Sequence, residues 1–329
     1  MSRFIALFAV CLVALASCGP KEDSAKPEAG GGDFKVALLT PGPISDSGWN
    51  ALAYEGLKGV ESEMGATVSN QEATGTQIRD AMRSYAQKGY QLVFGHGFEY
   101  NEPAAEVAKD FPDTVFVSSS GGLTAPNVGA FRFYLEQGFY LCGFMAGLMS
   151  KTGVVAMIGG MDVPSIKSTF RGFAAGAKAA RPDIEVKEIY TGNFTDSGAA
   201  KQATLQAIAQ GADFVIHQAN NAAQGVFDAC KEKGVFAFGA NADQNANESG
   251  VVIASGVIVA RPAFLELAKR VKEKTYKGEI LLMGMEVGAI DFVLNPALAD
   301  KVPADVKEKV EALKAQIKSN EVAVPKDEF

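Results

Sequence analysis

The sequence lacks the short motifs that mark several classes of enzyme. It has only two histidines, His96 and His217, and no HExxH or CxxC pattern, which argues against a zinc site. It has neither the GxSxG turn of serine hydrolases nor the GxxxxGK[ST] loop that binds nucleotide phosphates. The chain carries 31 basic and 38 acidic side chains, and no block of basic residues indicates nucleic-acid binding. These absences favour a binding protein over an enzyme or a nucleic-acid-binding protein.

No apolar run is long enough to span a bilayer, but the N-terminus has the layout of a secretory signal. Arg3 is the only early charge, the stretch from Phe4 to Ala14 is almost wholly apolar, and "LASC" ends at Cys18. A membrane span needs roughly 20 apolar residues, so this run is too short to be one. "LASC" resembles a bacterial lipobox, which predicts a signal peptide over residues 1–17 and a lipid on Cys18. The alternative is an ordinary signal peptide with a chance cysteine.

Residues 18–33 are rich in Gly, Pro, Ser and charged side chains, and this composition predicts a flexible tether. A folded body is expected from Phe34 onward, held in the cell envelope by lipid and facing the periplasm or the exterior. Two of the four cysteines, Cys142 and Cys230, belong to this body. A secreted pair can form a disulfide, but both lie in apolar helical stretches. We therefore expect two separate buried thiols.

From Phe34 onward, short apolar runs such as "KVALLT" and "QLVFG" alternate with helical patterns. The runs are apolar at consecutive positions, which is typical of parallel strands that are covered on both faces. The alternation predicts an α/β fold with doubly wound parallel sheets. A body of roughly 295 residues exceeds the usual core of one sheet, so two lobes are expected. The pattern restarts after Phe133, which marks the change of lobe.

Ligands of doubly wound sheets bind at the carboxyl ends of the strands. In this sequence those positions carry Gly-rich turns with aromatic, amide and carboxylate side chains, such as "PGPISDSGWN" after Thr40 and "HQANNAAQG" after Ile216. Glycine lets the backbone approach a ligand closely. The combination suits a flat, hydrogen-bonding ligand that is uncharged or weakly cationic. The predicted ligand-binding residues are Asp46, Trp49, Asn50, His96, Phe98, Phe194, Asn220, Asn241 and Asp243.

Several of these residues also have a purely structural interpretation. Asp46 or Ser47 is suited to cap the helix that follows, and we expect Asp196 to cap a later helix in the same way. Phe98 and Phe194 are also suited to be core residues at loop edges. His96 and His217 are suited to be hydrogen-bonded residues near the cleft, and Asn241 and Asp243 are suited to be turn residues.

Five longer segments occur in order along residues 34–329: "SDSGWNALAYEGL", "GHGFEYNEPAAEVAKDFPDTVFV", "NVGAFRFYLEQGFYLCGFMAGLMSKTG", "TGNFTDSGAAKQATLQAIAQGADFVI" and "ADQN". Together they resemble the basic membrane protein family of lipoproteins, which are PnrA-like substrate-binding proteins of ABC transporters. The resemblance implies a type I periplasmic-binding-protein fold, with two lobes, three crossings and a hinged cleft. It also implies a purine nucleoside ligand that is delivered to a permease, without catalysis and without a metal or cofactor.

The resemblance also implies where the lobes and the ligand lie. The N-terminal lobe would comprise residues 34–132 and about 257–288, and the C-terminal lobe residues 133–256 and about 289–329. In the family, one aromatic side chain from each lobe sandwiches the base. The matching positions here are Trp49, with Asn50 beside it, and Phe194. A single cleft between two lobes suggests a monomer.

Three departures from the family pattern fall on the side expected to hold the sugar. The family usually has GVDxDQ, whose first aspartate contacts ribose, whereas this chain has "GANADQ" with Asn241 at that position. Asn220 stands where glycine is expected, and the strand after Ser255 lacks an expected lysine. Free nucleobases, modified nucleosides and other flat heterocycles such as flavins therefore stay open as ligands.

Two other classes of function are compatible with a secreted α/β protein. A secreted α/β hydrolase or nucleosidase would need a carboxylate cluster with calcium, and the sequence shows no such Asp-rich string. The same fold could bind a sugar or an amino acid. An amino acid would need an arginine for its carboxylate, for which Arg132 and Arg171 are candidates, and each is equally suited to a structural ion pair. The predicted signal peptide and the lack of a DNA-binding head exclude a gene regulator of this fold.

Overall fold

The computed structural model describes residues 32–45 and 48–327, and the chain within them forms two six-stranded sheets. In the first sheet all neighbouring strands pair in parallel. Its strands are β1 (Gly32–Thr40), β2 (Ala66–Glu72), β3 (Leu92–Gly95), β4 (Val115–Ser119), β5 (Val128–Phe133) and β11 (Ile280–Met283). They lie in the order β11-β5-β4-β3-β1-β2.

The second sheet has the same size, and its strands lie in the order β12-β10-β9-β8-β6-β7. These are β6 (Val154–Gly159), β7 (Glu185–Tyr190), β8 (Phe214–Gln218), β9 (Phe236–Asn241), β10 (Val252–Ile258) and β12 (Ile290–Leu294). The helices are α1 (Trp49–Met64), α2 (Gln77–Gln87), α3 (Asn101–Val107), α4 (Glu136–Met149), α5 (Pro164–Ala180), α6 (Ser197–Ala209), α7 (Ala223–Lys233), α8 (Ala260–Lys272) and α9 (Ala304–Lys318).

Each sheet is covered by helices on both faces, and alternation along the strands explains why. In β1, Val36 and Leu38 pack into the cluster that contains side chains of α1 and α8, whereas Ala37 and Leu39 pack into the cluster formed with α2 and α3. Successive side chains of a strand point to opposite faces, so an apolar run buries both faces at once. The prediction of an α/β fold with two parallel-sheet lobes is confirmed.

The chain passes between the two sheets three times. It leaves the first sheet after β5 to form α4, returns after β10 to form α8 and β11, and crosses again before β12. We call the first sheet with α1, α2, α3 and α8 the first lobe, and the second sheet with the other helices the second lobe. The residue limits given above for the lobes stay a prediction.

One strand departs from the predicted parallel arrangement. β12 pairs antiparallel with β10, with Ile258 opposite Ile290 and Ala254 opposite Leu294. The chain leaves the second sheet at the carboxyl end of β10 and re-enters it at the same end, so the returning strand has to run in the opposite direction. The sequence patterns also missed β2 and β11, which lie at the two edges of the first sheet.

The two body cysteines lie apart from each other. Cys142 on α4 and Cys230 on α7 belong to different hydrophobic clusters, and both are buried free thiols. Burial raises the pKa of both thiols, since the thiolate would lose its hydration. The expectation of two separate buried thiols is confirmed.

A buried polar cluster joins the lobes at the first crossing. Arg132, at the end of β5, pairs with Glu136 at the start of α4, and Ser168 on α5 donates to the same carboxylate. The C-terminal segment contributes as well, because Arg132 also donates to the main-chain oxygen of Asp327. We call Arg132, Glu136, Ser168 and Asp327 the hinge cluster. Burial raises the pKa of Glu136, and the attraction of Arg132 offsets part of that effect. The other carboxylate oxygen, Oε2, is buried and meets no hydrogen-bond partner within the described residues.

Replacing Arg132 by methionine should destabilise the protein by about 3–5 kcal/mol at neutral pH, because the Glu136 carboxylate then stays buried without its counter-charge. Urea unfolding measures this change. The matched control is Arg171→Met, since Arg171 also pairs with Asp327 but is exposed, and we expect less than about 1 kcal/mol.

The loss of stability caused by Arg132→Met should become smaller as the pH falls toward the ordinary glutamic acid pKa of 4.5. A carboxyl with a raised folded pKa takes up its proton more readily in the folded state, so acidification removes the buried charge. Equal losses of stability in Arg132→Met and Arg171→Met at neutral pH would contradict the assigned role of the hinge cluster.

Candidate functional site

The only tryptophan of the chain lies at the first residue of α1, directly after the turn that follows β1. Its indole stacks on the imidazole of His96, with ring centroids 3.9 Å apart and an interplanar angle of 24°. Phe133 approaches it edge-on at 6.3 Å. Trp49 is half-buried. The turn between strand and helix therefore holds a flat aromatic ring at the carboxyl edge of the first sheet.

His96 supports one face of the Trp49 ring. It follows β3 directly and is almost completely buried. Its Nε2 lies 2.9 Å from the carbonyl oxygen of Trp49. A carbonyl oxygen can only accept, so Nε2 carries a proton and donates it. Its Nδ1 lies 3.0 Å from Oγ of Ser119, the last residue of β4. The imidazole thus connects the start of α1 with the ends of β3 and β4, and contact between His96 and a ligand stays a prediction.

Two further predicted residues of the first lobe lie at the same edge. Asn50 is buried beside Trp49, and a Cβ on Gly42 would come within 3.1 Å of its Nδ2, so glycine leaves room for this amide. Phe98 lies on a short 3-10 turn after β3 with 75% of its surface exposed. That exposure excludes the interpretation of Phe98 as a core residue. Asp46, like Ser47, lies outside the described residues, as does Cys18.

Phe194 lies in the loop between β7 and α6 and is half-buried. The ring lies against Gly160, where a Cβ would come within 2.3 Å of it. The main-chain N–H of Ala222 donates to the Phe194 carbonyl at 2.9 Å, which ties this loop to the turn after β8. Among the described residues, no ring contact joins Phe194 to Trp49. Asp196 caps α6 by accepting from the N–H of Ala199 at 2.9 Å, as predicted.

A polar cavity of about 200 Å³ lies at the carboxyl edge of the second sheet. Gly48, the neighbour of Trp49, brings the first lobe to its wall, and no charged side chain of the described residues lines it. Two of the predicted residues contribute to it, Asn220 and Asn241. Both have positive φ, 47° and 67°, a conformation that asparagine tolerates better than most residues. The polar wall residues of the second lobe are His217, Asn220, Asn221, Gln224, Asn241, Gln244 and Asn247.

Asp243 does not line this cavity. It is exposed, and its Oδ1 accepts from the N–H of Asn245 at 3.0 Å, which is a turn interaction. Asn241 also has a structural contact, because its Nδ2 donates to Oε1 of Gln218 at 3.2 Å. The structural interpretation therefore applies to both residues, and only Asn241 also faces the cavity.

Five of the seven polar wall residues lie outside the predicted ligand-binding set, and two of these, His217 and Gln244, bond to each other. His217 matches its structural interpretation as a hydrogen-bonded residue near the cleft. The His217 Nε2 lies 2.8 Å from Oε1 of Gln244, and the His217 Nδ1 lies 3.3 Å from the N–H of Ala219. Burial lowers the pKa of His217 to about 4, although the hydrogen bond to Gln244 opposes this effect. The available signal was the position of both residues, directly at the end of β8 and in the turn after β9.

His217 should stay uncharged from neutral pH down to about pH 5, with its proton on Nε2. The unfolded chain protonates near 6.5, so this residue lowers the stability of the fold progressively as the pH falls from about 6.5 to about 4. Nitrogen and proton NMR of the two imidazole rings measures the titration and the tautomer, and His217→Gln assigns the signal. A titration midpoint near 6.5 would contradict this description of the site.

The two arginines considered for an amino-acid carboxylate have structural partners. Arg132 and Arg171 form the ion pairs of the hinge and its C-terminal segment. Within residues 32–45 and 48–327, no group of three or more His, Cys, Asp or Glu is placed to hold a metal ion. None of the helices in the same ranges combines the length and the apolar character of a membrane span.

Two doubly wound lobes, three crossings and a polar cavity at the facing strand ends define a solute-binding protein of the type I periplasmic fold. The family of PnrA-like ABC transporter substrate-binding proteins, Bmp, matches residues 34–328, and the chain belongs to this family. Its class therefore takes a small-molecule ligand and works with an ABC permease, and it is not an enzyme.

Individual relatives are moderately similar. A purine-binding protein of Brucella abortus is 29% identical, over 88% of this chain and 82% of its own length. The transcriptional activator protein med of Bacillus subtilis is also 29% identical, over 92% of each chain. A solved ABC transporter solute-binding protein from Conexibacter woesei has 28% identity and a TM-score of 0.74, over 89% of this chain and 99% of its own. The names of the first two relatives assign different roles, so a name alone does not define the ligand.

Proposed function

We propose that the protein is a lipid-anchored solute-binding protein of an ABC importer and that it binds a purine nucleoside or a related flat heterocycle. The stack of Trp49 on His96 carries this proposal. One face of the indole rests on the imidazole, and Gly48, the residue before Trp49 in the chain, lines the polar cavity. A heterocycle stacked on Trp49 would therefore direct its substituents into that cavity.

Phe194 supplies the second ring of the proposed sandwich. It lies half-buried in the loop after β7 in the second lobe, and closure about the hinge would bring it toward the first lobe. Stacking of a base on an aromatic side chain is worth about 1–3 kcal/mol. The purine-binding relative supports a purine as the stacked group.

The cavity supports a ligand that is uncharged. Its polar wall is formed by amides and by His217, whose lowered pKa keeps it neutral. At about 200 Å³ it is smaller than the roughly 300–1,000 Å³ of sites that enclose a whole ligand. We infer that the cavity takes the part of the ligand that extends beyond the stacked ring. Free nucleobases, flavins, sugars and amino acids are the alternatives for the same cleft.

A panel of ligands tests the proposal. The protein used is the mature chain from residue 18 with Cys18→Ser, which has no cysteine to carry lipid and is therefore not anchored to the membrane. Adenosine, guanosine and inosine should raise the melting temperature by mass action and quench the fluorescence of Trp49, the only tryptophan. Trp49→Ala should weaken binding by about 5- to 150-fold, the equivalent of 1–3 kcal/mol, whereas Trp49→Phe should retain most of the affinity. A response to sugars or amino acids alone would refute the stacking proposal.

The lipid anchor has its own test. Mass spectrometry of the protein extracted from membranes should find Cys18 as the first residue, carrying lipid on its sulfur. A chain that begins at residue 18 and carries Cys18→Ser should stay in the soluble fraction, because the composition of residues 18–33 offers no apolar run to bind a bilayer. Extracted protein that carries no lipid on Cys18 would contradict the assignment.

A further inference from the structure

The side-chain amide of Gln244 has an orientation that its neighbours determine. Its Oε1 lies 2.9 Å from the main-chain N–H of Ala240 and 2.8 Å from Nε2 of His217. A main-chain N–H can only donate, so the atom that faces it must be the carbonyl oxygen and not the NH2 group. Gln244 lines the cavity. The NH2 group is therefore the part of this side chain that is left for a ligand.

His217 fixes that orientation from the other side. Its Nδ1 faces the main-chain N–H of Ala219 at 3.3 Å, so Nδ1 is the unprotonated nitrogen. The proton must then lie on Nε2, which donates to Oε1 of Gln244. The same oxygen receives two donors, and rotation of the amide would place NH2 against both of them. The lowered pKa of His217 agrees with this neutral tautomer.

The main chain of Gln244 is held as well. Its N–H donates to Oγ of Ser255 at 3.1 Å, and that hydroxyl donates to Oδ1 of Asn245 at 2.9 Å. Gly239 leaves the necessary room, since a Cβ there would lie 2.9 Å from Cβ of Gln244 and 2.3 Å from Oγ of Ser255. Gln244 is thus preorganised before any ligand arrives.

The side-chain amide of Asn247, on the same wall, has both ends bonded to other groups of the protein. The Nδ2 of Asn247 donates to Oε1 of Gln224, and its Oδ1 accepts from the N–H of Ser249. The Gln244 Nε2, by contrast, contacts no acceptor within the described residues. Gln244 therefore differs from Asn247 in presenting donors of fixed direction to the cavity.

We propose that Gln244 is a specificity-determining residue, which donates from its NH2 group to an acceptor atom on the part of the ligand that enters the cavity, and that His217 is its positioning residue. This inference rests on the proposed function and refines its ligand class. The ligand is neutral and carries an oxo group, a hydroxyl oxygen or an unprotonated ring nitrogen at this point. A protonated amine there is rejected, because donor would face donor.

Gln244→Glu tests the inference, because it replaces the NH2 donor by an acceptor of the same shape. Isothermal titration with two pairs of probes measures the effect: inosine against adenosine, and adenosine against 3′-amino-3′-deoxyadenosine with its amine protonated. In one of these pairs, the group that differs between the two probes should enter the cavity. For that pair, wild type should bind the probe with the acceptor atom more tightly than the probe with the amine. The variant should lose about tenfold or more in affinity for that member, and the preference should narrow or reverse.

Asn247→Asp is the matched control, since it introduces the same charge on the same wall at an amide that is already bonded. It should change the affinities for inosine and adenosine, which are both uncharged, by the same factor, and its effect on the protonated amine measures what the added charge alone contributes. His217→Phe should weaken the preference by releasing the Gln244 amide. His217→Gln should restore it, because its NH2 can donate to the same oxygen. Melting curves of each variant show that it is folded.

The outcomes separate the two proposals. If wild type binds none of the purine probes, the proposed function fails, and this refinement fails with it. If wild type binds them but Gln244→Glu and Asn247→Asp leave the preference in both pairs unchanged, the role of Gln244 is refuted and the proposed function stands. A preference that changes equally in both variants would indicate a charge effect and would also refute it.

Discussion

The direction of the strands determines where this protein can bind anything. Parallel strands bring their carboxyl ends to one edge of a sheet, and the turns that leave that edge are free of pairing. Trp49 follows β1 and His96 follows β3 at that edge of the first sheet, whereas the turns after β8 and β9 supply the cavity wall of the second. Stacking of Trp49 on His96 and the hydrogen bond from His217 to Gln244 both depend on this shared edge, because each joins residues that are far apart in sequence.

Apolar patterning predicted the parts of the fold that are buried on both faces. The strands that it missed are those with another kind of environment: β2 is a mostly exposed edge strand with the polar sequence "ATVSNQE", and β11 is a four-residue edge strand that pairs with β5 across about 150 residues of chain. The antiparallel β12 follows from the path of the chain between the lobes. A pattern of residues within a segment carries no information about that path.

The candidate site divides in a similar way. Position alone placed Trp49, Asn220 and Asn241 at the strand ends, and loop composition was enough for that. His217 was expected only as a hydrogen-bonded residue near the cleft, and Gln244 was not selected, because their importance lies in an interaction across 27 positions and in the direction of a single amide. Charge was also difficult to judge from sequence, since burial lowers the pKa of His217 from 6.5 to about 4 and so extends its uncharged range well below neutral pH. The wall is thus neutral because amides dominate it, and packing keeps its one histidine uncharged in mild acid as well.

The three crossings interleave the lobes along the chain. The first sheet obtains its last strand, β11, from residues that follow five of the six strands of the second sheet. The hinge cluster closes only when Arg132 meets Asp327, and Tyr134 likewise donates to the carbonyl of Val324. Neither lobe is therefore complete until nearly the whole chain is present. Such non-local contacts delay folding, and a chain that emerges from its N-terminus can acquire its finished hinge only when its last residues arrive.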